Sequence, residues 1–333
     1  MMKQRLVLLL CSTIVAVGLG VMVFSVSMKY MRTRAPKEEQ PSVRIIPVRK
    51  EFLISSASSG LKFFYEAPPS VVQYDEYNWL PYVPSYTINS DTLHERYEYP
   101  VKKEPNVYRI ITLGDSFTFG HFVNTKDNWT EVLEDLLNSS CLTESMHKIE
   151  IINLGERGYD VRYAAHRLAT RGMKYNPDLI LYFESTSGFD RNRELDDPYI
   201  EFWVKRLTEL DSARSHLDIV KEAAERAKVD VKRTYSDVQL FEEIHQAWVE
   251  LFTVRKSTPV IVASRNDLNL REVTRLKLWT VGHRQVSLAL SVRNLYEFEG
   301  GTLQDGHPSV IGHKMIADDI FGYLKRKKIV SCN

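Results

Sequence analysis

Cysteine is scarce in this chain, with three in 333 residues: Cys11, Cys141 and Cys332. No Cys-x-x-Cys occurs, and the nine histidines show no paired ligand spacing, so no metal site is expected. Cys11 falls in an apolar N-terminal run, which leaves at most one pair within the domain, Cys141–Cys332. Two unpaired thiols are the expectation, and the cysteines do not decide the compartment. A phosphate-cradling loop is also missing: the Gly114–Gly120 stretch lacks the lysine that such a loop needs. No cofactor is expected. An excess of charge of one sign is absent as well. The formal net charge is +1, which removes any electrostatic case for nucleic acid. No internal repeat is present, so the chain is not a repeat array.

What is present begins with Leu6–Met28, 23 successive positions without a charge. As a helix this run would be ~34 Å long, enough to cross a bilayer core. It exceeds the usual ~7–15-residue apolar region of a signal peptide, which favours an uncleaved anchor over a cleaved signal for residues 1–28. Lys3 and Arg5 precede it and Lys29, Arg32, Arg34 and Lys37 follow it, so flanking charge leaves the orientation open. Residues 29–50, rich in Lys, Arg, Pro and Glu, read as a linker. Residues 51–105 carry many aromatics and prolines without a helical period, and read as a flap of short strands and loops. Its aromatic residues, among them Tyr74, Tyr77, Trp79, Tyr82 and Tyr86, are assigned to packing in preference to a carbohydrate platform.

From 106 to 330 the pattern alternates. Apolar runs at Val107–Leu113, Ile149–Leu154, Leu179–Phe183, Pro259–Ala263 and Val286–Val292 predict strands. Helical spacing marks Trp129–Leu137, Tyr163–Gly172 and Val310–Lys325. Such alternation predicts an α/β domain, a central parallel sheet in three α/β/α layers. Residues 193–258 break the rhythm with two or three amphipathic helices and read as a helical insertion, either a lid over the sheet's carboxyl end or an edge addition.

The first strand ends in Gly114-Asp115-Ser116-Phe117-Thr118-Phe119-Gly120, which puts a serine at a strand's carboxyl end, where open α/β sheets bind ligands. Far downstream stand Asp305-Gly306-His307-Pro308 and Gly312-His313. A serine hydroxyl needs a base to take its proton, and His307 is the candidate. Asp305 would fix the imidazole tautomer. Asp115 reads as a residue bonding its own turn. His313, on the closing helix, reads as structural. Asn128-Trp129-Thr130 and Asn138-Ser139-Ser140 match the glycosylation sequon, a pattern short enough to arise by chance.

At these residues the chain resembles the SGNH (GDSL-type) hydrolase superfamily, over roughly residues 80–325. The Gly-Asp-Ser block is followed by Phe-Thr-Phe-Gly, and Asn153-Leu154-Gly155-Glu156-Arg157-Gly158 resembles the second block. Asp305-Gly306-His307-Pro308 resembles the last. The third block departs: Glu184-Ser185-Thr186-Ser187-Gly188-Phe189-Asp190 puts Ser187 where the family has an oxyanion-binding asparagine. The resemblance implies a flavodoxin-like fold, Ser116, Asp305 and His307 as the catalytic group, and Ser116, Gly158 and Ser187 as the oxyanion hole. It implies a serine esterase that hydrolyses O-acyl or O-acetyl esters of an envelope carbohydrate or lipid through an acyl-enzyme. The domain is expected to be extracytoplasmic and held by a single membrane pass. An O-acyltransferase using the same triad, and a binding or assembly protein with a decayed site, are the alternatives. Nothing in the sequence speaks to oligomeric state.

Overall fold

The computed structural model describes residues 53–54, 61, 64–143, 146–185, 192–265, 286–330 and 332. The expected anchor and linker lie outside these. Among the described residues no helix is long and apolar enough to cross a membrane.

Two antiparallel ribbons open the described chain, β1 (Leu53–Ile54) with β2 (Tyr65–Glu66) and β3 (Val71–Tyr74) with β4 (Ser85–Ile88). Five parallel strands follow: β5 (Val107–Gly114), β6 (Lys148–Asn153), β7 (Leu179–Glu184), β8 (Val260–Arg265) and β9 (Val286–Val292). Their spatial order is β6-β5-β7-β8-β9. The chain steps outward from β5 to β6, then returns across β5 to β7, and that reversal opens a crevice at the carboxyl ends.

The helices are α1 (Ser116–Phe119), α2 (Trp129–Ser140), α3 (Val161–Arg167), α4 (Arg193–Leu210), α5 (His216–Thr234), α6 (Asp237–Val254) and α7 (Val310–Arg326). Side chains alternate across a strand, so β5 and β7 each feed two cores. Ile110, Leu179, Leu181 and Phe183 meet Trp129, Leu133 and Leu137 of α2 and Ile316 and Ile320 of α7. Ile111, Leu113, Ile180 and Tyr182 meet Val161 and Ala164 of α3 and Trp248 and Leu251 of α6. Both faces are covered, which is why the strands read as nearly continuous apolar runs. The three-layer expectation matches this arrangement.

Two expectations need correction. The stretch 193–258 is not a single insertion. α4 and α5 pack on each other through Trp203, Val204, Leu207, Ile219 and Ala223. α6 lays Ala247, Trp248 and Leu251 on the sheet instead, and so serves as the crossover between β7 and β8. The thiols are also not free: Cys141 and Cys332 form a disulfide across 191 residues. Cys141 follows α2 and Cys332 follows α7, and these two helices share one face of the sheet.

The flap docks on the turn after β5. Ser85 and Thr87 backbone N–H groups donate to Asn124 Oδ1 and Thr125 Oγ1 at 3.1 and 2.8 Å. Buried His94 donates from Nδ1 to the Phe119 carbonyl at 2.6 Å and accepts at Nε2 from Thr125 at 2.9 Å. Burial pushes its pKa down to about 3, so it is a neutral structural strut.

Candidate active site

Ser116 begins α1 directly after β5. Gly114 has a φ of +151°, and a Cβ there would lie 2.2 Å from Thr118 Oγ1 and 2.8 Å from the Phe183 carbonyl, so only glycine fits. Asp115 caps the short helix by accepting from Phe117 N–H at 3.0 Å. Its other oxygen accepts from the Ser185 hydroxyl, which ties the serine turn to the end of β7. Asn128 donates to the Thr118 and Phe119 carbonyls at 3.1 and 3.0 Å, and Trp129 Nε1 donates to the Phe117 carbonyl at 3.0 Å. Asn128 is fully buried in this role, which removes the first sequon as a modification site in the folded chain.

His307 arrives on a loop before α7. Asp305 accepts from the His307 backbone N–H at 3.1 Å and from Nδ1 at 2.8 Å. The carboxylate can only accept, so Nδ1 carries the proton and Nε2 is left as an acceptor. Nε2 lies 2.8 Å from Ser116 Oγ. The structure thus brings together Ser116, His307 and Asp305 in one hydrogen-bonded chain, 191 residues after the serine. Burial opposes ionisation of Asp305, yet the hydrogen bond and charge of His307 outweigh it and hold the carboxyl below its ordinary value. His313 is elsewhere: it is buried and accepts at Nδ1 from Trp129 N–H at 3.2 Å.

Gly158 stands on the loop after β6 with a φ of +75°, and its carbonyl accepts from Arg193 Nη1 at 2.9 Å. That loop is anchored to the serine's strand, since Glu156 N–H donates to the Gly114 carbonyl at 3.3 Å. Ser187 lies outside the described residues.

Sequence reasoning missed a second polar group beside the triad. His121 meets the His307 ring edge-on at 5.4 Å and stacks on Phe122 at 3.7 Å. Its Nε2 lies 3.4 Å from Asp75 Oδ2 and 3.4 Å from the Tyr77 hydroxyl. Burial lowers the His121 pKa to about 4, so the ring is neutral near pH 7. Arg157, one residue before Gly158, donates to Asp75 at 3.1 Å and to Gln73 at 3.3 Å. The flap is thereby tied both to the histidine side and to the Gly158 loop. These partners are far apart in sequence and carry no shared motif. The one local hint was His121, directly after the Phe-Thr-Phe-Gly that follows Gly-Asp-Ser.

No family model matches the chain, and no curated protein matches it. Among solved structures it is similar to a catalytic mutant of Axe2, an acetylxylan esterase from Geobacillus stearothermophilus. The identity is 15% over 67% of this chain and 96% of that one, with a TM-score of 0.39. It is similar to a family 3 carbohydrate esterase from Clostridium thermocellum at 16% identity, over 66% of this chain and 95% of that one, TM-score 0.34. A psychrotrophic esterase, EstA from Pseudoalteromonas sp., matches at 14% over 66% of this chain and 98% of that one, TM-score 0.36.

Proposed function

We propose that this protein is a serine esterase of the SGNH type that cleaves O-acyl esters, with an acylated carbohydrate as its substrate class. The single observation that carries the reading is the hydrogen-bonded chain Asp305–His307–Ser116, with its protons placed for nucleophilic attack. Ser116 Oγ attacks the acyl carbon while His307 Nε2 takes its proton. Charge then builds on the carbonyl oxygen, where the backbone N–H groups of Ser116 and Gly158 serve as donors; each such donor is worth about 3 kcal/mol. The tetrahedral adduct collapses, His307 returns the proton to the departing alcohol, and the acyl group stays on Ser116. Water, deprotonated by His307, then releases the acid and restores the serine. The intact hydrogen-bonded chain speaks against a decayed binding protein.

Leu6–Met28 supports a membrane anchor, and the Cys141–Cys332 disulfide supports a domain facing an oxidising compartment. Retention in the membrane fraction after alkaline carbonate washing tests the anchor; release of the whole protein would refute it. The esterase reading is tested by p-nitrophenyl acetate hydrolysis. Wild type should turn over and Ser116→Ala should not. Equal rates in the two would overturn it.

A further inference from the structure

In ester cleavage the leaving oxygen must receive its proton from the base, so the alcohol half of the substrate lies against His307. The groups flanking that imidazole therefore line the alcohol's path. On the flap side they form a series of aromatic rings. Phe122 meets His307 edge-on at 5.1 Å, Trp79 meets Phe122 at 5.0 Å, and Tyr77 meets Phe122 at 4.9 Å and Trp79 at 5.7 Å. Tyr77 and Trp79 are half-buried, so part of each ring faces outward. Phe122 beneath them is buried, as are Tyr86 and Phe119 nearby, whereas Tyr77 and Trp79 keep part of their surface.

Polar atoms are interleaved with these rings. The Tyr77 hydroxyl sits 3.4 Å from His121 Nε2, and Glu76 and Asn78 are exposed on the same turn. A lipid alcohol would call for an unbroken apolar wall. A sugar ring offers the opposite pattern, an apolar C–H face for an aromatic ring and hydroxyls for the polar groups around it.

We propose that Tyr77 and Trp79 of the flap, backed by the buried Phe122 ring, form a subsite that holds the sugar ring of an O-acylated carbohydrate beside His307. This rests on the esterase reading and assigns the alcohol side of that site to the flap, leaving the chemistry to the sheet domain.

The test compares kcat/KM of the full chain on glucose pentaacetate and on ethyl acetate, followed by acid release. Trp79→Ala should lower the sugar ester's value at least about tenfold more than that of ethyl acetate, mainly through KM, since the lost contact is made before and during reaction alike. Trp79→Phe keeps the ring without the N–H and should fall between. Val83→Ala, exposed on the same stretch, should leave both values unchanged. An equal fall on both substrates in Trp79→Ala would show a purely structural role and overturn the subsite, as would no fall at all. So would a loss that grows with acyl length from ethyl acetate to ethyl hexanoate, which marks an acyl-chain site. If Ser116→Ala still cleaved both esters, the parent reading would fail and the subsite with it. That outcome is separate from one in which Ser116 is essential and Trp79 is not selective.

Discussion

Ser116 stands on a turn whose following residues are sealed in the core, whereas His307 stands on a loop open to solvent. Phe117, Thr118 and Phe119 are 7%, 0% and 1% exposed, while the side chains of Asp305 and His307 keep 33% and 22%. The serine turn is held by side chains from α2, β7 and the flap. The histidine loop is held mostly by itself: Leu303 N–H donates to the His307 carbonyl at 2.8 Å, Gly306 N–H to the Leu303 carbonyl at 3.0 Å, and Tyr296 to the Gly306 carbonyl at 3.2 Å. The nucleophile's position is thus a property of the whole core, and the base's position is a property of one local turn. Damage to the two sides should consequently register in different measurements.

The largest effect is expected on the loop and in rate alone. His307→Ala should lower kcat about 10⁴-fold, because the serine proton has nowhere to go. The melting temperature should move by no more than about 2 °C, since a partly exposed loop side chain is lost. A large drop in melting temperature would blur the contrast between the two sides.

Next comes the serine turn, where folding itself should suffer. Gly114→Ala forces a Cβ against Thr118 and the Phe183 carbonyl. It should cost about 3 kcal/mol in urea unfolding. A neutral result would mean that the turn is far softer than its packing indicates.

The smallest effect concerns pH and the core beneath the flap. Glu134 on α2 accepts from Ile151 N–H at 2.7 Å and from the Tyr99 hydroxyl at 2.8 Å. Burial, with the nearby Glu131 charge, raises its pKa to about 7, although those hydrogen bonds and Arg96 oppose the shift. Neighbouring Glu95 is raised as well, by burial and by Glu131. The folded state therefore prefers the protonated carboxyl. Its contribution is complete below the unfolded value of 4.5 and is lost as pH rises through about 7. Unfolding free energy should fall between pH 5 and pH 8, and Glu134→Gln should remove about 2 kcal/mol of that fall. An unaltered pH profile in the variant would assign the slope to other groups.

The same contrast explains what could be read in the sequence. The predicted strand Val107–Leu113 is β5 within one residue, and Leu179–Phe183 is β7 within one, because strands buried on both faces leave unbroken apolar runs. The Asp305–His307 pair was legible because its geometry is local. The pairing of Asp75 with His121 was not, since burial and contact across 46 positions leave no periodic trace. The Cys141–Cys332 bridge was missed for the same reason. α6 was grouped with α4 and α5 because all three are amphipathic, and which face meets the sheet depends on the crossover path.

The most direct measurement is covalent labelling. The serine Oγ, activated by His307, displaces fluoride from a fluorophosphonate and keeps the phosphonyl group. Peptide mass spectrometry of the labelled full chain should place that mass on Ser116, and His307→Ala should slow labelling by orders of magnitude while the fold persists. A label on another serine, or equal labelling rates in wild type and His307→Ala, would contradict the account.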